Sequence, residues 1–389
     1  MLLTATSYVL LGVAAIPFIY YLLVLYCSWG FFRRPAVQGS SRPDFTPPAS
    51  ILKPVRGLDP EAYENFASYC RQDYPEYEIV FCLGSPEDAA LPIIEKLQRD
   101  FPACTIRVIF HPHRNAPNDK VEKLDQLVNE ARYEYLVIND SDVRVKPDYM
   151  RAVIAPLAQP SVGAVTCLYV SAGEKTVVDS IQSIGMISDF YPGILVARKL
   201  DGVKFALGET IVTTRARLAK FGGYHALENR PADDLLVGRL IAEQGCEVEL
   251  LPYAVLTVAD YTSMRELFLK RLRWMVVMRH MRPWGHLGLL LTLGLPWSIA
   301  AIAIHPTLPI ALGYLGAYFG LRIAMTWMIG IWGLKQSSLW KNLPLIPVWD
   351  GVALAIWVGS FLRNSIRWRG DRYYIRDGML VQASHATAE

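Results

Sequence analysis

The segment YLVINDSD, residues 135–142, is a short apolar run that leads directly into acidic residues. Its first four residues have the length and the β-branched and aromatic content of a buried strand. The Asn, Asp and Ser residues that follow favour turns, so the strand is predicted to end there. Asp140 and Asp142 can both face one divalent cation from that turn, and hard oxygen ligands suit Mg²⁺ or Mn²⁺. An acidic turn without a metal is the alternative interpretation.

Short β-rich runs alternate with helical patterns on both sides of this segment. The predicted strands are SILKPV (50–55), YEIVFCLG (77–84), CTIRVIF (104–110), YLVIND (135–140) and VGAVTCLYV (162–170), and the predicted helices cover 60–70, 88–100, 120–131 and 147–157. This alternation predicts an α/β fold with a mostly parallel sheet covered by helices. Ligands of such sheets bind at the carboxyl ends of the strands, which is where Asp140 and Asp142 stand.

The chain is more apolar than ordinary soluble enzymes, with 52% hydrophobic and 19% charged residues. Residues 1–32 contain no charged side chain and exceed the roughly 20 residues that a membrane-spanning helix needs. A cleaved signal peptide is the alternative, but Arg33 and Arg34 follow in place of a small-residue cleavage site. These arginines predict a cytoplasmic location for the residues after them, beginning with a linker at 33–48.

The C-terminal third is predicted to return to the membrane. Residues 287–334 are predicted to form a transmembrane hairpin, and 343–362 a third membrane or re-entrant segment interrupted at Asp350. A full third crossing would place the basic tail, 363–389, outside the cytoplasm, against the positive-inside rule. A broken or re-entrant helix resolves this conflict, because a charge in mid-segment is costly in lipid.

Several functional classes are disfavoured by composition and by absent motifs. The net charge, 39 minus 36 or +3, lacks the basic footprint of nucleic-acid binding. The six cysteines form no C-x-x-C pair, so we expect neither disulfides nor zinc. The glycine-rich signatures of dehydrogenases and P-loop ATPases, and the G-x-S-x-G of α/β-hydrolases, are missing.

Two further segments carry candidate chemistry. Asp233 and Asp234 follow Pro231 at the start of a helical pattern; they are a simple helix start unless the fold brings them to the first acids, where one can serve as a general base. Residues 261–286 form a predicted interfacial amphipathic segment that contains KRLRW at 270–274. Its cations can also neutralise a departing diphosphate.

The order of these motifs resembles the ceramide glucosyltransferase family, glycosyltransferase family 21, which has a GT-A nucleotide-sugar-binding fold. The likeness includes the similar bacterial hopanoid-associated glycosyltransferases. The matching stretches are ILKPVRG (51–57), PED (86–88), NDKV with Leu124 (118–124), NDSDVRV (139–145), ADD (232–234), KRLRW (270–274) and RWRGDRYYIRDG (367–378). Lys270 departs from the family's Gln or Arg; it retains the cation but not the planar fork of arginine.

The resemblance implies that residues 49–260 form a cytosolic GT-A glycosyltransferase domain that uses a UDP-sugar. On the donor side, it implies that Lys53 and Asp88 line the uridine pocket and that Lys120 approaches the phosphates. Asp142, helped by Asp140, would hold Mg²⁺ or Mn²⁺.

On the acceptor side, the resemblance implies that Asp234 is the catalytic base, with Asp233 as the alternative or a helper. Lys270, Arg273 and Trp274 would hold the leaving UDP and the lipid headgroup beside the bilayer. The expected activity is inverting transfer of glucose or N-acetylglucosamine to a lipid hydroxyl, in a bacterial inner membrane.

Three alternatives to the glycosylation of ceramide stay open at this point. The acceptor is a hopanoid in the first, the product is a processive polysaccharide in the second and less favoured one, and the chain is a non-catalytic nucleotide-sugar-binding scaffold in the third. The catalytic interpretation requires Asp142 and Asp234 to lie together in the folded chain.

Overall fold

The computed structural model describes residues 2–33, 45–112, 118–258, 261, 263–368, 371–376 and 378–382. Arg34, most of the predicted linker, the predicted domain boundary at 260 and residues 383–389 of the predicted tail lie outside these ranges.

An eight-stranded sheet forms the centre of the soluble domain, in the order β3-β2-β1-β4-β7-β6-β8-β5. The strands are β1 Ala49–Pro54, β2 Tyr77–Leu83, β3 Thr105–Phe110, β4 Tyr135–Ile138, β5 Val143–Arg144, β6 Val162–Ser171, β7 Ile211–Thr214 and β8 Glu247–Thr257. Strands β1 to β4 are mutually parallel and β6 is parallel to β8, whereas β7 and β5 pair antiparallel with their neighbours. The predicted α/β fold with a mostly parallel sheet is confirmed.

Helices cover the sheet and continue into the membrane region. They are α1 Leu2–Ala14, α2 Ile16–Phe32, α3 Ala62–Cys70, α4 Leu91–Asp100, α5 Asp119–Glu130, α6 Tyr149–Ile154, α7 Val177–Gly185, α8 Tyr191–Asp201, α9 Arg215–Ala219, α10 Asp233–Glu243, α11 Met264–Met281, α12 Pro283–Gly288, α13 Gly294–Ile304, α14 Leu308–Thr326 and α15 Ile346–Phe361. Parallel strands need crossover connections, which α3, α4 and α5 provide. Helix α5 buries Val121, Leu124 and Val128, one apolar stripe at helical spacing, in a core shared with the sheet.

Three helical segments are long and apolar enough to cross a membrane: Ala5–Phe32, Leu308–Gly333 and Ser337–Phe361. A bent pair, Pro283–Thr292 with Gly294–Ile304, adds a fourth if it counts as one span. The pair bends by 58° at its break. A membrane protein with an N-terminal apolar helix and further C-terminal ones is therefore confirmed.

The last apolar segment differs in detail from the sequence expectation. Helix α15 runs unbroken through Asp350, where the sequence predicts an interruption. A separate break lies in a different part of the chain, between the two helices of the bent pair. Arg322 of α14 pairs with Asp350, so the charge has a partner and does not break the helix.

Both ends of the segment that contains α15 make hydrogen bonds to elements outside it. Before α15, the amide of Asn342 donates to Glu174 at 2.9 Å. After α15, the Arg279 guanidinium of α11 donates to the carbonyl of Arg363 at 2.9 Å and to Asn364 at 2.7 Å. These contacts connect one end of the segment to the loop before α7 and the other end to α11.

The basic tail folds into a small antiparallel sheet that the sequence did not predict. Its strands are β9 Ser365–Trp368, β10 Asp371–Arg376 and β11 Met379–Gln382, in the order β11-β10-β9. The backbone N–H of Leu380 donates to the carbonyl of Asn229 at 2.7 Å, so this sheet docks beside the start of α10. The described part of the tail therefore packs against the soluble domain.

Candidate active site

The two acidic motifs converge at the carboxyl end of β4. The Lys120 ammonium lies 2.5 Å from Asp140 Oδ1 and 3.9 Å from Asp233 Oδ2, so one lysine joins the turn after β4 to the start of α10. Together with Asp142, Asp234 and Glu209, these carboxylates form a group that we call the acidic cluster; its members are Asp140, Asp142, Glu209, Asp233 and Asp234.

The turn after β4 is fixed by an amide side chain. Asn139 Nδ2 donates to the Tyr149 hydroxyl at 2.8 Å and to the Glu209 carbonyl at 2.7 Å. These bonds tie the acidic turn to the segment just before β7. The sequence predicts Asn139 only as a turn former, whereas in the fold it holds two parts of the site together.

The start of α10 is a strained backbone position. Ala232 has φ of 57°, in the left-handed region that costs about 1 kcal/mol or more for a residue with a Cβ. The two acids that follow are held in place: Asn118 Nδ2 donates to Asp233 Oδ1 at 3.3 Å, and the N–H of Leu235 donates to Asp234 Oδ1 at 2.8 Å. Strain of this kind persists where the surroundings over-determine the geometry.

A glycine brings the Asp234 carboxylate close to the neighbouring chain. A Cβ added to Gly208 would lie 3.3 Å from Asp234 Oδ2 and 3.6 Å from the Lys120 ammonium. The backbone at Gly208 therefore forms one wall of the site, directly beside the candidate base.

Burial and mutual repulsion change the protonation of the acids. Burial, and then the Asp140 and Asp59 charges, raise the pKa of Asp142 to about 6. Burial, and then the Asp233 charge, raise the pKa of Asp234 to about 6. A carboxylate with a pKa near neutrality is suited to accept a proton in a reaction at neutral pH.

The pKa values of Lys120 and Glu209 are also shifted by burial and by the neighbouring acids. Burial works against the charged form of Lys120, but Asp140 and Asp233 outweigh it and raise the lysine pKa well above its usual range. Burial, and then Asp140 and Asp142, raise the pKa of Glu209 well above its usual range. Perturbed groups that gather at one place in a fold are typical of functional sites.

Two acids of this site were missed by the sequence reasoning. Glu209 lies between β-structure segments without an acidic neighbour in sequence, and Asp59 accepts a hydrogen bond from Ser141. A lone acid in a loop is an ordinary surface feature, so no sequence signal separated either of them from other acids.

Lys53 and Asp88 occupy supporting positions. Lys53 is fully buried; its ammonium donates to the Asp140 carbonyl at 2.8 Å and lies 3.7 Å from the centre of the Tyr69 ring. Asp88 accepts from the backbone N–H of Gly57 at 3.1 Å, at the turn after β1. Both therefore stabilise loops at the carboxyl ends of strands, and direct contact of either with a uridine stays a prediction.

The basic motif of α11 lies close enough to the site for its first lysine to act on an acid of the cluster. The Lys270 ammonium lies 5.0 Å from the centre of the Tyr261 ring and 6.0 Å from that of Trp274, and its charge acts on Asp142. Arg273 and Trp274 are half-buried, three and four residues further along the same helix. Arg271, the second residue of the motif and one for which the sequence predicted no separate role, is buried and donates two hydrogen bonds to Gln182, at 3.0 and 2.8 Å.

The arrangement fits a metal bound together with a phosphate. Among the described residues, no group of three His, Cys, Asp or Glu side chains is placed to hold a metal ion. Mg²⁺ is commonly bound through one or two carboxylates plus substrate phosphates, so a preassembled cage is not required. Asp142 is the better candidate ligand, because Asp140 already has Lys120 against one oxygen.

Comparison with known proteins identifies glycosyltransferases as relatives of this chain. The sequence model of "Glycosyl transferase family 21" matches residues 9–381. Ceramide glucosyltransferase 1 of Caenorhabditis elegans is 22% identical over 390 residues, covering 96% of this chain and 82% of that protein. The ceramide glucosyltransferase of Komagataella phaffii is 32% identical over 141 residues, covering 34% of this chain and 28% of that protein.

A solved structure shares the fold. The mannosyltransferase PcManGT from Pyrobaculum calidifontis, in complex with GDP-Man and Mn²⁺, superposes with a TM-score of 0.58 at 20% identity, covering 88% of this chain and 99% of that chain. The GT-A character expected from the motifs is thus confirmed. Because the family's sequence model spans nearly all of it, from the first membrane helix to the C-terminal sheet, the chain belongs to glycosyltransferase family 21.

Proposed function

We propose that this membrane hexosyltransferase moves a sugar from a UDP-sugar to the hydroxyl of a membrane lipid, with inversion at the anomeric carbon. The observation that carries the proposal is the convergence of Asp234 with the Asp140–Asp142 turn around Lys120. A base and a candidate metal ligand far apart in sequence meet at the carboxyl end of a parallel sheet, where such folds bind nucleotides.

The donor's diphosphate would lie among the charged groups of the site. Asp142 would hold Mg²⁺ or Mn²⁺, which supplies charge neutralisation of the departing diphosphate. Lys120 and Lys270 would contribute further positive charge from opposite sides, the soluble domain and α11. The buried Lys53 would keep the Asp140 turn in position from beneath.

Asp234 would accept the proton from the acceptor hydroxyl as its oxygen bonds to the anomeric carbon. The bond from that carbon to the UDP oxygen breaks in the same displacement, and UDP leaves with the electron pair. One displacement converts an α-linked donor into a β-glycoside. Asp233, which raises the pKa of Asp234 and accepts from Asn118, is the alternative base.

The acceptor class follows from the relatives and from the position of the site. Both named relatives are ceramide glucosyltransferases, which favours ceramide over a hopanoid. Lys270 and Trp274 lie on α11, directly before the helices that reach the membrane. A lipid acceptor and a soluble donor meet at such a boundary, and holding both there makes the encounter intramolecular.

We also place the soluble domain and the tail on the cytoplasmic side of a bacterial inner membrane. Arg33, at the end of α2, and the arginines of the tail support this orientation through the positive-inside rule. The segment 337–361 would then enter the membrane surface and return to the same side, as the contacts at both its ends suggest.

The test is transfer by the purified protein in detergent micelles with Mn²⁺. UDP-glucose and UDP-N-acetylglucosamine would each be offered with a short-chain ceramide or a hopanoid polyol, and the products identified by mass spectrometry. We expect one monoglycosylated lipid, and its loss in Asp234→Ala and Asp142→Ala. Full turnover by both variants, or release of a polysaccharide, would overturn the proposal.

A further inference from the structure

A small cavity lies between the sheet and α7. Its polar wall is formed by Ser171, Asp179, Gln182, Ser183 and Thr257. Its apolar wall includes Met186 and Ile187, which belong to the π-helical turn, Met186–Phe190, between α7 and α8. None of these residues belongs to the motifs described above.

The cavity adjoins the candidate metal ligand through the backbone. Thr257 pairs with Val143, and the N–H of the next residue, Val258, donates to the Asp142 carbonyl at 3.1 Å. On another side the cavity is lined by Tyr169 and Tyr191, and the Glu209 charge acts on both phenols. The cavity therefore lies beside the acidic cluster, at the end of strands β6 and β8.

Asp179 presents an unused hydrogen-bond acceptor at this place. Its Oδ2 caps α7 by accepting from the N–H groups of Lys175 at 3.1 Å and Thr176 at 3.0 Å. Its Oδ1 is buried and has no hydrogen-bond partner among the described residues, and the whole residue is only 6% exposed. A buried acceptor left without a donor is unfavourable, because it has lost its hydrogen bonds to water and gained none in the protein. A ligand that donates a hydrogen bond would remove this cost.

A second polar group of the cavity wall, the side-chain amide of Gln182, is held in place by Arg271. The Arg271 fork occupies Gln182 Oε1 with two hydrogen bonds, and the same guanidinium lies 4.8 Å from the centre of the Trp274 ring. Arg271 thus links the wall of the cavity to the basic motif of α11. The Gln182 amide is held in one orientation by this contact.

The apolar wall leads toward the membrane helices. A Cβ added to Gly330, which lies after α14, would come within 3.0 Å of the Ile187 side chain. Beside it, Arg322 of α14 donates to the carbonyl of Ser188. The cavity therefore combines polar side chains from β6, β8 and α7 with apolar side chains that contact the region after α14, and such a lining suits a lipid at the junction of headgroup and chain.

We propose that this cavity receives a second hydrogen-bond donor of the acceptor headgroup, a hydroxyl or amide N–H adjacent to the reacting hydroxyl, with Asp179 as its acceptor. This inference rests on the proposed lipid-glycosylating function and deepens it. Asp179 is then a specificity-determining residue that selects headgroups with a neighbouring donor and orients the reacting hydroxyl toward Asp234.

The experiment uses three matched acceptors with the full-length protein in detergent: a short-chain N-acyl amino alcohol with a secondary hydroxyl, its analogue without that hydroxyl, and its N-methylated amide. One of the two analogues lacks the donor that Asp179 binds. For that analogue we expect the acceptor KM of the wild type to be about tenfold higher or more, because a hydrogen bond to a charged group is lost. Asp179→Asn keeps the volume and an oxygen to cap α7, but it places an amide NH₂ where Oδ1 stood. This variant should remove the difference between the acceptors and leave the UDP-sugar KM unchanged.

Thr176→Ala is the matched control. The Thr176 hydroxyl caps α7 by accepting from the Asp179 N–H at 3.1 Å, and it does not line the cavity. This variant weakens the same helix end and should preserve the preference among acceptors. A preference that survives Asp179→Asn, or that is absent from the wild type, would overturn the inference.

Equilibrium binding of the same three lipids to the UDP-loaded protein gives a readout that does not depend on turnover. If no lipid is glycosylated, the proposed function fails. The binding preference and its response to Asp179→Asn then still decide the role of the cavity, because a cavity that holds only water would show neither.

Discussion

Two regions of this protein bury charged side chains, and they differ in how those charges are paired. In the membrane region, Arg322 pairs with Asp350, and the Tyr318 hydroxyl donates to the other oxygen of that carboxylate at 2.8 Å. In the acidic cluster, carboxylates from three separate segments crowd around Lys120. Arg322 makes a direct pair with Asp350 and also interacts with the nearby Asp189, whereas the five carboxylates of the acidic cluster outnumber the lysines beside them.

The contrast separates a structural use of charge from a chemical one. A paired charge in an apolar region is tolerated because each ion has its counter-ion and hydrogen bonds. An excess of buried carboxylates raises their pKa values and leaves them ready to bind a cation or a proton. We therefore expect substitutions at the membrane pair to act on stability and those in the acidic cluster to act on activity.

The largest expected effect is on catalysis. Asp234→Asn should lower kcat by about 100- to 10,000-fold, because the acceptor hydroxyl loses its base. The folded protein should persist, since the change removes a charge from a crowded acidic group. Initial rates of lipid glycosylation and the thermal unfolding midpoint would be measured side by side.

Asp201→Asn is the control for this substitution. Asp201 is an exposed acid that forms an ion pair with Lys204 at 2.6 Å, away from the acidic cluster. Activity close to the wild type is expected there. Equal losses in the two variants would remove the distinction between the cluster and ordinary surface acids.

The next effect concerns stability. Arg322→Met should lower the free energy of unfolding by about 3–5 kcal/mol, because it leaves Asp350 buried without a counter-ion. The double variant Arg322→Met with Asp350→Leu should recover most of that loss. Denaturant unfolding in one detergent would measure both. If the single variant is as stable as the wild type, the membrane pair is not the structural element that we describe.

A smaller effect is expected on metal affinity. Mn²⁺ should bind more tightly in the presence of UDP than alone, since no cage of three side chains exists among the described residues. Asp142→Asn should weaken Mn²⁺ binding to the UDP complex at least about tenfold, equivalent to ~1.4 kcal/mol. Calorimetric titration would measure it, with Asp350→Asn as the comparison. Unchanged affinity in the Asp142 variant would exclude it as a ligand.

The smallest effect concerns pH. The pKa of Asp234 is raised to about 6, so its basic form is lost as the pH falls through 6. At pH 5, kcat/KM should be about a tenth of its plateau value. Asp233→Asn removes a charge that raises this pKa, and it should move the acid limb to lower pH. If Asp233→Asn abolishes activity instead, Asp233 is the base.

Much of the soluble domain was predictable because its signals are local. Strands β1 to β4 and helices α3 to α5 follow apolar runs and periodic patterns that end at turn residues, and their observed bounds differ from the predicted ones by a few residues. Strand β7 is four residues long and pairs antiparallel between β4 and β6. Such pairing depends on distant partners, so a pattern in one segment does not reveal it.

The site was only partly predictable for a related reason. Asp142 and Asp234 were chosen by motif, and both lie in the acidic cluster. Glu209 and Asp179 have no motif; they matter because folding places one among other acids and leaves the other with a free buried oxygen. Lys53 was chosen by motif for the uridine pocket, and in the fold its ammonium donates to the backbone carbonyl of Asp140, a contact that the motif does not reveal.

Local composition alone established that this chain alternates strands and helices, carries acids at a strand end and has segments long enough to enter a membrane. These properties depend on near neighbours, for which spacing and hydrophobicity are sufficient. The meeting of Asp140 with Asp233 through Lys120, and the contacts of Asn342 with Glu174 and of Arg279 with Arg363 at the two ends of the last apolar segment, arose between distant segments. Burial and charge at those contacts determine the protonation of the acids and the orientation of their side chains. Neither property can be predicted from a segment taken alone, because both depend on the segments that fold against it.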